Sequence, residues 1–316
     1  MNITDTGATL EQVAADDIVL PFQADGAGVN GRVVRLGPAI DAILRGHGYP
    51  ESVCKLLGEG VALTALLGAS LKFEGKFNFQ TKTDGPVSML VIDYLSNGQL
   101  RGYARFDADA VSQLEKVGKA RARELLGDGH LAMTIDRGPA MDNYQGVVVL
   151  EGDSLSDAAD AYFRQSEQLP TFIRVAVARH YSAVGGDGGG RWQWRAGGLM
   201  VQHLTREGGF AAGTHGDDDE DWNRAHILAS TVEEQELVDP MLAPDRLVYR
   251  LFHEERVRAF KTRSLSFECG CSAERVKKML ASFGPDDLAD MAEDGQIEVT
   301  CEFCNRRYRF DPGDFI

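Results

Sequence analysis

The first fifty residues alternate apolar and polar positions in two short runs, Asp17–Phe22 and Gly31–Leu36, which predicts two strands joined by a glycine-rich turn. The spacing then changes. Pro38–Leu44 reads as a short helix and Glu51–Leu71 as a longer one, with Val53, Leu56, Leu57, Leu63, Leu66 and Leu67 leaving little polar surface, so that this helix should be buried. Three further strands, Phe73–Thr81, Val87–Tyr94 and Leu100–Phe106, are separated by Asp84-Gly-Pro86 and Ser96-Asn-Gly98 and should form an antiparallel meander. A helix over Ala108–Leu126 and strands near Leu131–Asp136 and Tyr144–Leu150 follow. Ser154 can cap a helix running to Gln168, which Pro170 stops. Strands Thr171–Tyr181 and Trp192–Gln202 complete an α+β domain over residues 1–203. They are split by a glycine run, Gly185–Gly190, that reads as a flexible loop.

Past this point the pattern weakens. Arg206–Asp221 is rich in Gly, Ala and acids and ends Asp217-Asp-Asp-Glu-Asp221, a composition expected to be solvated and poorly ordered. Asn223–Val238 and Asp245–Phe260 show helical spacing through Ile227, Leu228, Val232, Leu237, Leu247, Leu251 and Phe252. Many charges interrupt them, so these helices should depend on docking to something else. Residues 204–262 thus read as an acidic, metastable helical linker, and 263–316 as a small third unit.

In that last unit Leu265–Cys269 and Ile297–Cys301 each alternate into a pair of cysteines, and Tyr308 and Phe310 alternate with Arg307 and Arg309. Between the pairs, Ser272 can cap a helix carrying Val276, Met279, Leu280 and Phe283. Gly284-Pro285 ends it, and Asp286–Ala292 makes a second short helix. Four of the five cysteines fall here, as Cys269-Gly-Cys271 and Cys301-Glu-Phe-Cys304. Two close pairs brought together by a loop make a tetrahedral Cys₄ zinc site. Such sites are most often inert staples, since so small a unit builds little core of its own. The spacings also leave two dithiols able to oxidise within each pair once metal is gone, and zinc would hold the sulfurs as thiolates, the form that attacks oxidants. Staple and oxidant sensor both remain open on spacing alone.

Charge and composition narrow the function. A net charge of −15 opposes binding to nucleic acid or anionic lipid. The start, Met1–Asp5, has no basic residue and no apolar run, so no secretory signal is expected, and no long uninterrupted apolar stretch predicts a membrane span. Cysteines that read as metal ligands rather than as a disulfide framework point to a reducing cytosol. Catalytic signatures fail. His253-Glu-Glu255 lacks the second histidine of H-E-x-x-H, whose place Val257 takes, and is expected to be a partly exposed helix face. Gly26-Ala-Gly28-Val-Asn-Gly31 matches G-x-G-x-x-G, but β-branched residues follow it, so a hairpin loop is expected. Cys54 reads as a small core residue. Four thiolates close a zinc shell and leave no site for water, which argues against an enzyme.

Taken together, Arg250-Leu-Phe-His-Glu-Glu255, Cys269-Gly-Cys271-Ser-Ala-Glu-Arg275-Val and Ile297-Glu-Val-Thr-Cys301-Glu-Phe-Cys304-Asn resemble the bacterial 33 kDa heat-shock chaperonin family. So do Thr83-Asp-Gly-Pro86, Arg101-Gly-Tyr103 and Gly197–Gln202, and the likeness covers nearly the whole chain. The acidic stretch Gly208–Asp221 is longer than the family pattern requires. The resemblance implies a cytosolic, ATP-independent holdase that is inactive while reduced and zinc-bound. It implies that Cys269, Cys271, Cys301 and Cys304 are both ligands and redox switch, with disulfides Cys269–Cys271 and Cys301–Cys304 forming as zinc leaves. It further implies that the zinc unit and linker then unfold to hold aggregation-prone clients, with a homodimer accompanying activation. The rival reading is an interaction or nucleic-acid-binding module built on a static zinc ribbon.

Overall fold

The computed structural model describes residues 16–71, 74–138, 142–182, 190–204 and 215–315. The segment Met1–Asp5, nearly all of the Gly185–Gly190 run and the first part of the Arg206–Asp221 stretch lie outside these residues.

The opening alternation forms an antiparallel hairpin of β1 (Ile18–Ala24) and β2 (Val29–Leu36), so the glycine-rich turn closes a hairpin and opens no helix. Helix α1 (Pro38–Arg45) begins on a proline, and the Asp17 carboxylate accepts from the backbone N–H groups of Gly37 and Ala39 at its start. Helix α2 (Glu51–Ser70) is mostly apolar and buried, its charges confined to Glu51, Lys55 and Glu59 in the first half. It is the one described helix long and apolar enough to cross a membrane, yet 83% of that window is buried inside the fold. The meander follows as β3 (Lys76–Thr83), β4 (Val87–Leu95) and β5 (Gln99–Phe106).

The single helix expected over Ala108–Leu126 is instead two, α3 (Ala108–Lys116) and α4 (Ala122–Leu126). Gly118 adopts φ 67°, and Lys119 N–H donates back to the Leu114 carbonyl (2.9 Å), a left-handed stop that ends the first helix. Strands β6 (Gly129–Asp136) and β7 (Tyr144–Val149) come next, then α5 (Leu155–Tyr162), where Ser154 and Asp157 form a reciprocal cap. One π-helical turn, Phe163–Glu167, carries the helix on to Gln168, and β8 (Thr171–Ser182) and β9 (Arg191–His203) complete the α+β body.

The acidic run Asp217–Asp221, expected to be poorly ordered, lies in the first turns of α6 (His215–Ser230). Acids suit the positive end of a helix dipole, and Asp221 also pairs with Arg224 one turn on (2.8 Å). The expected Asn223–Val238 helix breaks before α7 (Glu234–Val238). The expected Asp245–Phe260 helix ends early as α8 (Pro244–Phe252). Arg256 at φ 52° turns the chain into β10 (Val257–Ala259), because the outer edge of β1 is there to pair with. β11 (Arg263–Ser264), β12 (Ser266–Phe267), α9 (Ala273–Leu280), α10 (Pro285–Asp290) and the hairpin of β13 (Ile297–Thr300) and β14 (Arg307–Phe310) close the chain.

Two large sheets result, in the orders β10-β1-β2-β9-β8, with β11 also on β1, and β12-β5-β4-β3-β6-β7. Helix α2 lies between them. Its glycines let the sheets approach closely: a Cβ on Gly58 would sit 2.8 Å from Val177, and one on Gly68 2.5 Å from Tyr94. Alternate residues of the first sheet serve two cores. Val19, Val34, Leu36 and Met200 face α2, whereas Leu20, Phe22, Val33, Leu199 and Val201 face α6–α8 through Ala225, Ala229, Leu237, Leu247, Leu251 and Phe252. Three arginines fasten α7 and its flanking turns from below. Arg35, fully buried on β2, donates to the carbonyls of Glu236, Asp239 and Leu242; Arg195 donates to Val238 (2.8 Å), and Arg174 to Val232 (2.7 Å).

Candidate metal centre

The first cysteine pair follows directly from β12. Glu268 N–H donates to Leu100 of β5 (3.2 Å), and Cys269 comes next. Arg275 Nη1 donates to the Gly270 carbonyl (2.5 Å), which tightens the turn, and after Cys271 the Ser272 hydroxyl accepts from Arg275 N–H to start α9. The second pair occupies the turn between β13 and β14. Asn305 N–H donates to Cys301 (2.8 Å), Cys301 N–H donates to Arg306 (2.9 Å), and Asn305 takes the left-handed conformation at φ 56°. This turn presents both sulfurs on one side.

The four sulfurs lie within 4.8 Å of one another, with Cys269 3.6 Å from Cys301 and Cys271 3.4 Å from Cys304. A tetrahedron with metal–sulfur bonds of ~2.3 Å has edges of roughly 3.8 Å, so the sulfurs fit one four-coordinate ion. All four are half-buried. Tyr308, on β14, donates its hydroxyl to Cys271 Sγ (3.1 Å). In the metal-free form burial resists charge on Cys271, but hydrogen bonds from Tyr308 and the neighbouring thiols outweigh it and bring its pKa down to about 7. Burial, then bonding among the thiols, pushes Cys304 up to about 12 and also raises Cys269. One sulfur thus ionises readily and others follow with difficulty unless a cation joins them.

Beneath the sulfurs lies a small separate core of Leu280, Leu288, Ile297 and Phe310. The unit is docked on the main body by the Cys301–Cys304 turn itself. His47 Nε2 donates to the Glu302 carbonyl (2.7 Å), Asn305 Nδ2 to Gly46 (3.0 Å), and Arg105 pairs with the Glu302 carboxylate (2.9 Å). The Phe303 ring meets Tyr103 edge-on, with the Arg101 guanidinium 4.0 Å above it. The sequence places Tyr308 on a strand and Glu302 and Phe303 between two cysteines, but gives none of the three a role at the site. The available signal was an aromatic residue between two metal ligands, which is left in water unless another surface covers it.

Cys54 is buried in the main core, and burial pushes its thiol up to about 12, which suits a packing role. His253 is exposed as expected, but Glu255 is not. It is buried and paired with Arg224 (2.7 Å), because its carbonyl accepts from Gly26 N–H (2.9 Å) and draws it onto the β1–β2 turn.

A family model described as Hsp33 protein matches residues 17–311, from the start of β1 to just past β14. The chain belongs to the Hsp33 family. Among Hsp33 relatives, the 33 kDa chaperonin of Caulobacter vibrioides (strain NA1000 / CB15N) is 44% identical over 299 residues, 94% of this chain and 95% of its own. The 33 kDa chaperonin of Nitrosococcus oceani is 38% identical over 294 residues, 93% and 91% of the two chains. The crystal structure of the Hsp33 homologue from Thermotoga maritima superposes with a TM-score of 0.74 at 21% identity, covering 95% of this chain and 96% of that one, which shows a shared fold.

Proposed function

We propose that this Hsp33-family chain is a redox-regulated, ATP-independent holdase chaperone of the cytoplasm, held inactive by zinc on Cys269, Cys271, Cys301 and Cys304. The observation that carries the reading is the convergence of four sulfurs in a unit with only a four-residue buried core of its own. Bound there, zinc supplies folding free energy, roughly 10–16 kcal/mol in structural sites, against a net stability of ~5–15 kcal/mol for a whole domain. Each pair of thiolates can pass two electrons to hydrogen peroxide, whose O–O bond breaks and which takes two protons from solvent to leave as two waters, while an S–S bond forms as Cys269–Cys271 or Cys301–Cys304. With both pairs oxidised no ligand set remains. The unit over 263–316 then unfolds and the linker over 204–262 loosens, whereas the domain over 1–203 keeps its own core. Unfolding proteins are the partners, and a homodimer accompanies activation. No catalytic site, nucleic acid or membrane enters the scheme, in keeping with the acidic charge and the burial of α2.

The test reads zinc release and light scattering of a denaturing client side by side as peroxide is added. Metal loss and suppression of aggregation should appear together, and Ser at all four cysteine positions should abolish the response to oxidant. A static zinc ribbon shows neither event, and that result would overturn the reading.

A further inference from the structure

The segment Val257–Glu268, just before the first metal-site cysteine, covers an edge of each large sheet. β10 pairs with Phe22–Ala24 and β11 with Ile18–Val19, while Phe260 N–H donates to Pro21 (2.9 Å) and Leu265 N–H to Asp17 (2.7 Å); the outer edge of β1 is filled along its length. One residue later the chain changes sheets. Ser266 N–H donates to Gly98 (3.1 Å) and Glu268 N–H to Leu100 (3.2 Å), which places β12 parallel to β5 at the outer edge of the other sheet. Leu265, between the two attachments, is 5% exposed and belongs to the main core, and Phe267 packs against it.

Edge strands bare of a partner are templates for another extended chain. We propose that the outer edges of β1 and β5 are where an extended segment of an unfolded client is held, by strand addition, once Val257–Glu268 has been withdrawn. The occupant is inferred from the segment that fills the place here. Arg263-Ser-Leu-Ser-Phe267 offers backbone N–H groups to carbonyls beside both sheets and apolar side chains at Leu265 and Phe267, two residues apart. Backbone bonds carry no sequence preference, and one apolar residue in two is common in unfolded chains, so the edges accept many partners. Glu268 adjoins Cys269, so unfolding of the metal unit removes the anchor that keeps the segment in place. The proposal rests on the holdase reading and specifies how that function grips its partner.

The probe is a fluorescent peptide copying Thr262–Glu268, beside a second copy N-methylated at the positions of Leu265, Ser266 and Glu268, with binding followed by anisotropy on the full chain. The peroxide-treated chain should bind the plain peptide at least tenfold more tightly than the reduced, zinc-loaded chain does, and the methylated copy at least tenfold more weakly than the plain one. Excess plain peptide should also restore client aggregation. A Ser266→Pro chain, which lacks the N–H that reaches Gly98, should bind the plain peptide without oxidant. If the treated chain suppresses aggregation but binds both peptides equally, or neither, strand addition is overturned and the holdase reading stands. If Ser266→Pro binds no peptide, strand addition is likewise overturned. If the treated chain neither releases zinc nor protects a client, both readings fall.

Discussion

Phe303, between Cys301 and Cys304, meets Tyr103 of β5 edge-on, with ring centroids 5.0 Å apart and planes at 90°. With the Arg101 guanidinium above the same ring, the aromatic pocket joins the metal turn to the second sheet. Edge-on aromatic pairs and cation–π contacts contribute about 0.5–1.5 kcal/mol each. Phe303→Ala should therefore weaken docking by about 1–3 kcal/mol while leaving the metal stoichiometry unchanged. Hydrogen exchange on the reduced chain checks this: the amides of Gln99–Phe106 and of the Cys301–Asn305 turn should exchange faster, and those of α9 should not. Unchanged exchange at both places means the contact does not hold the unit in position.

The features legible in the sequence are those set by neighbours along the chain. Helix α2 is legible because Glu51–Ser70 has little polar surface, Ser154 because Asp157 completes its cap, and the four cysteines by spacing. The features that were hidden are set by distant partners. Val257–Ala259 reads as the end of a helix until the bare edge of β1 is placed beside it. Nothing local to Arg35 or Arg195 shows that backbone carbonyls will close over them, because those carbonyls lie 201 residues away at Glu236 and 43 away at Val238. Phe303 looked like filler between ligands until β5 supplied Tyr103.

Arg35 should report on the linker alone. Its side chain is fully buried and satisfies carbonyls from Glu236 to Leu242, so Arg35→Met leaves several of them unpaired under a docked helix. Stranding buried polar groups costs about 1–3 kcal/mol each. Limited proteolysis of the reduced, zinc-loaded variant should cut between α6 and α8 at least tenfold faster than in the parent. Zinc content should stay at one ion per chain, which separates linker release from loss of the metal unit. Equal cutting rates would show that the apolar face under α6–α8 holds the linker without these bonds.

Glu59 sets a pH dependence. Burial raises its carboxyl from the ordinary 4.5 to about 7, with Asp157 adding to the rise, while bonds from Leu155 and Ser156 N–H at the start of α5 oppose it. A carboxyl with a raised folded pKa binds its proton more tightly in the folded state, so its contribution is fully present below pH 4.5 and is lost as pH climbs through about 7. At ~1.4 kcal/mol per pKa unit the loss is about 3–4 kcal/mol. Glu59→Gln keeps an acceptor for the same N–H groups and removes the charge. Its melting temperature should exceed the parent's at pH 8 by several degrees and match it near pH 4.5. A constant difference across that range would rule out titration of Glu59 as the cause.

Removing metal without oxidant isolates what the ion does for the fold. The main core around α2 and the core formed by Leu280, Leu288, Ile297 and Phe310 share no residue, so they can fail separately. Burial and thiol bonding raise Cys269 and Cys304, so gathering all four sulfurs as thiolates needs a cation among them. A tight chelator in excess reductant should therefore bring amide protection in Cys269–Phe310 to that of an unfolded chain, while α2, β3 and β9 keep theirs. Zinc added back should restore it, because the thiols stay reduced. The same chelated chain decides between two triggers. If it protects clients, unfolding of the metal unit suffices and the disulfides serve to keep the metal out; if it unfolds and protects nothing, disulfide formation has a further part in activation. Full protection of Cys269–Phe310 without metal would remove the physical basis of the switch, since the unit would then be folded whether or not its sulfurs were free.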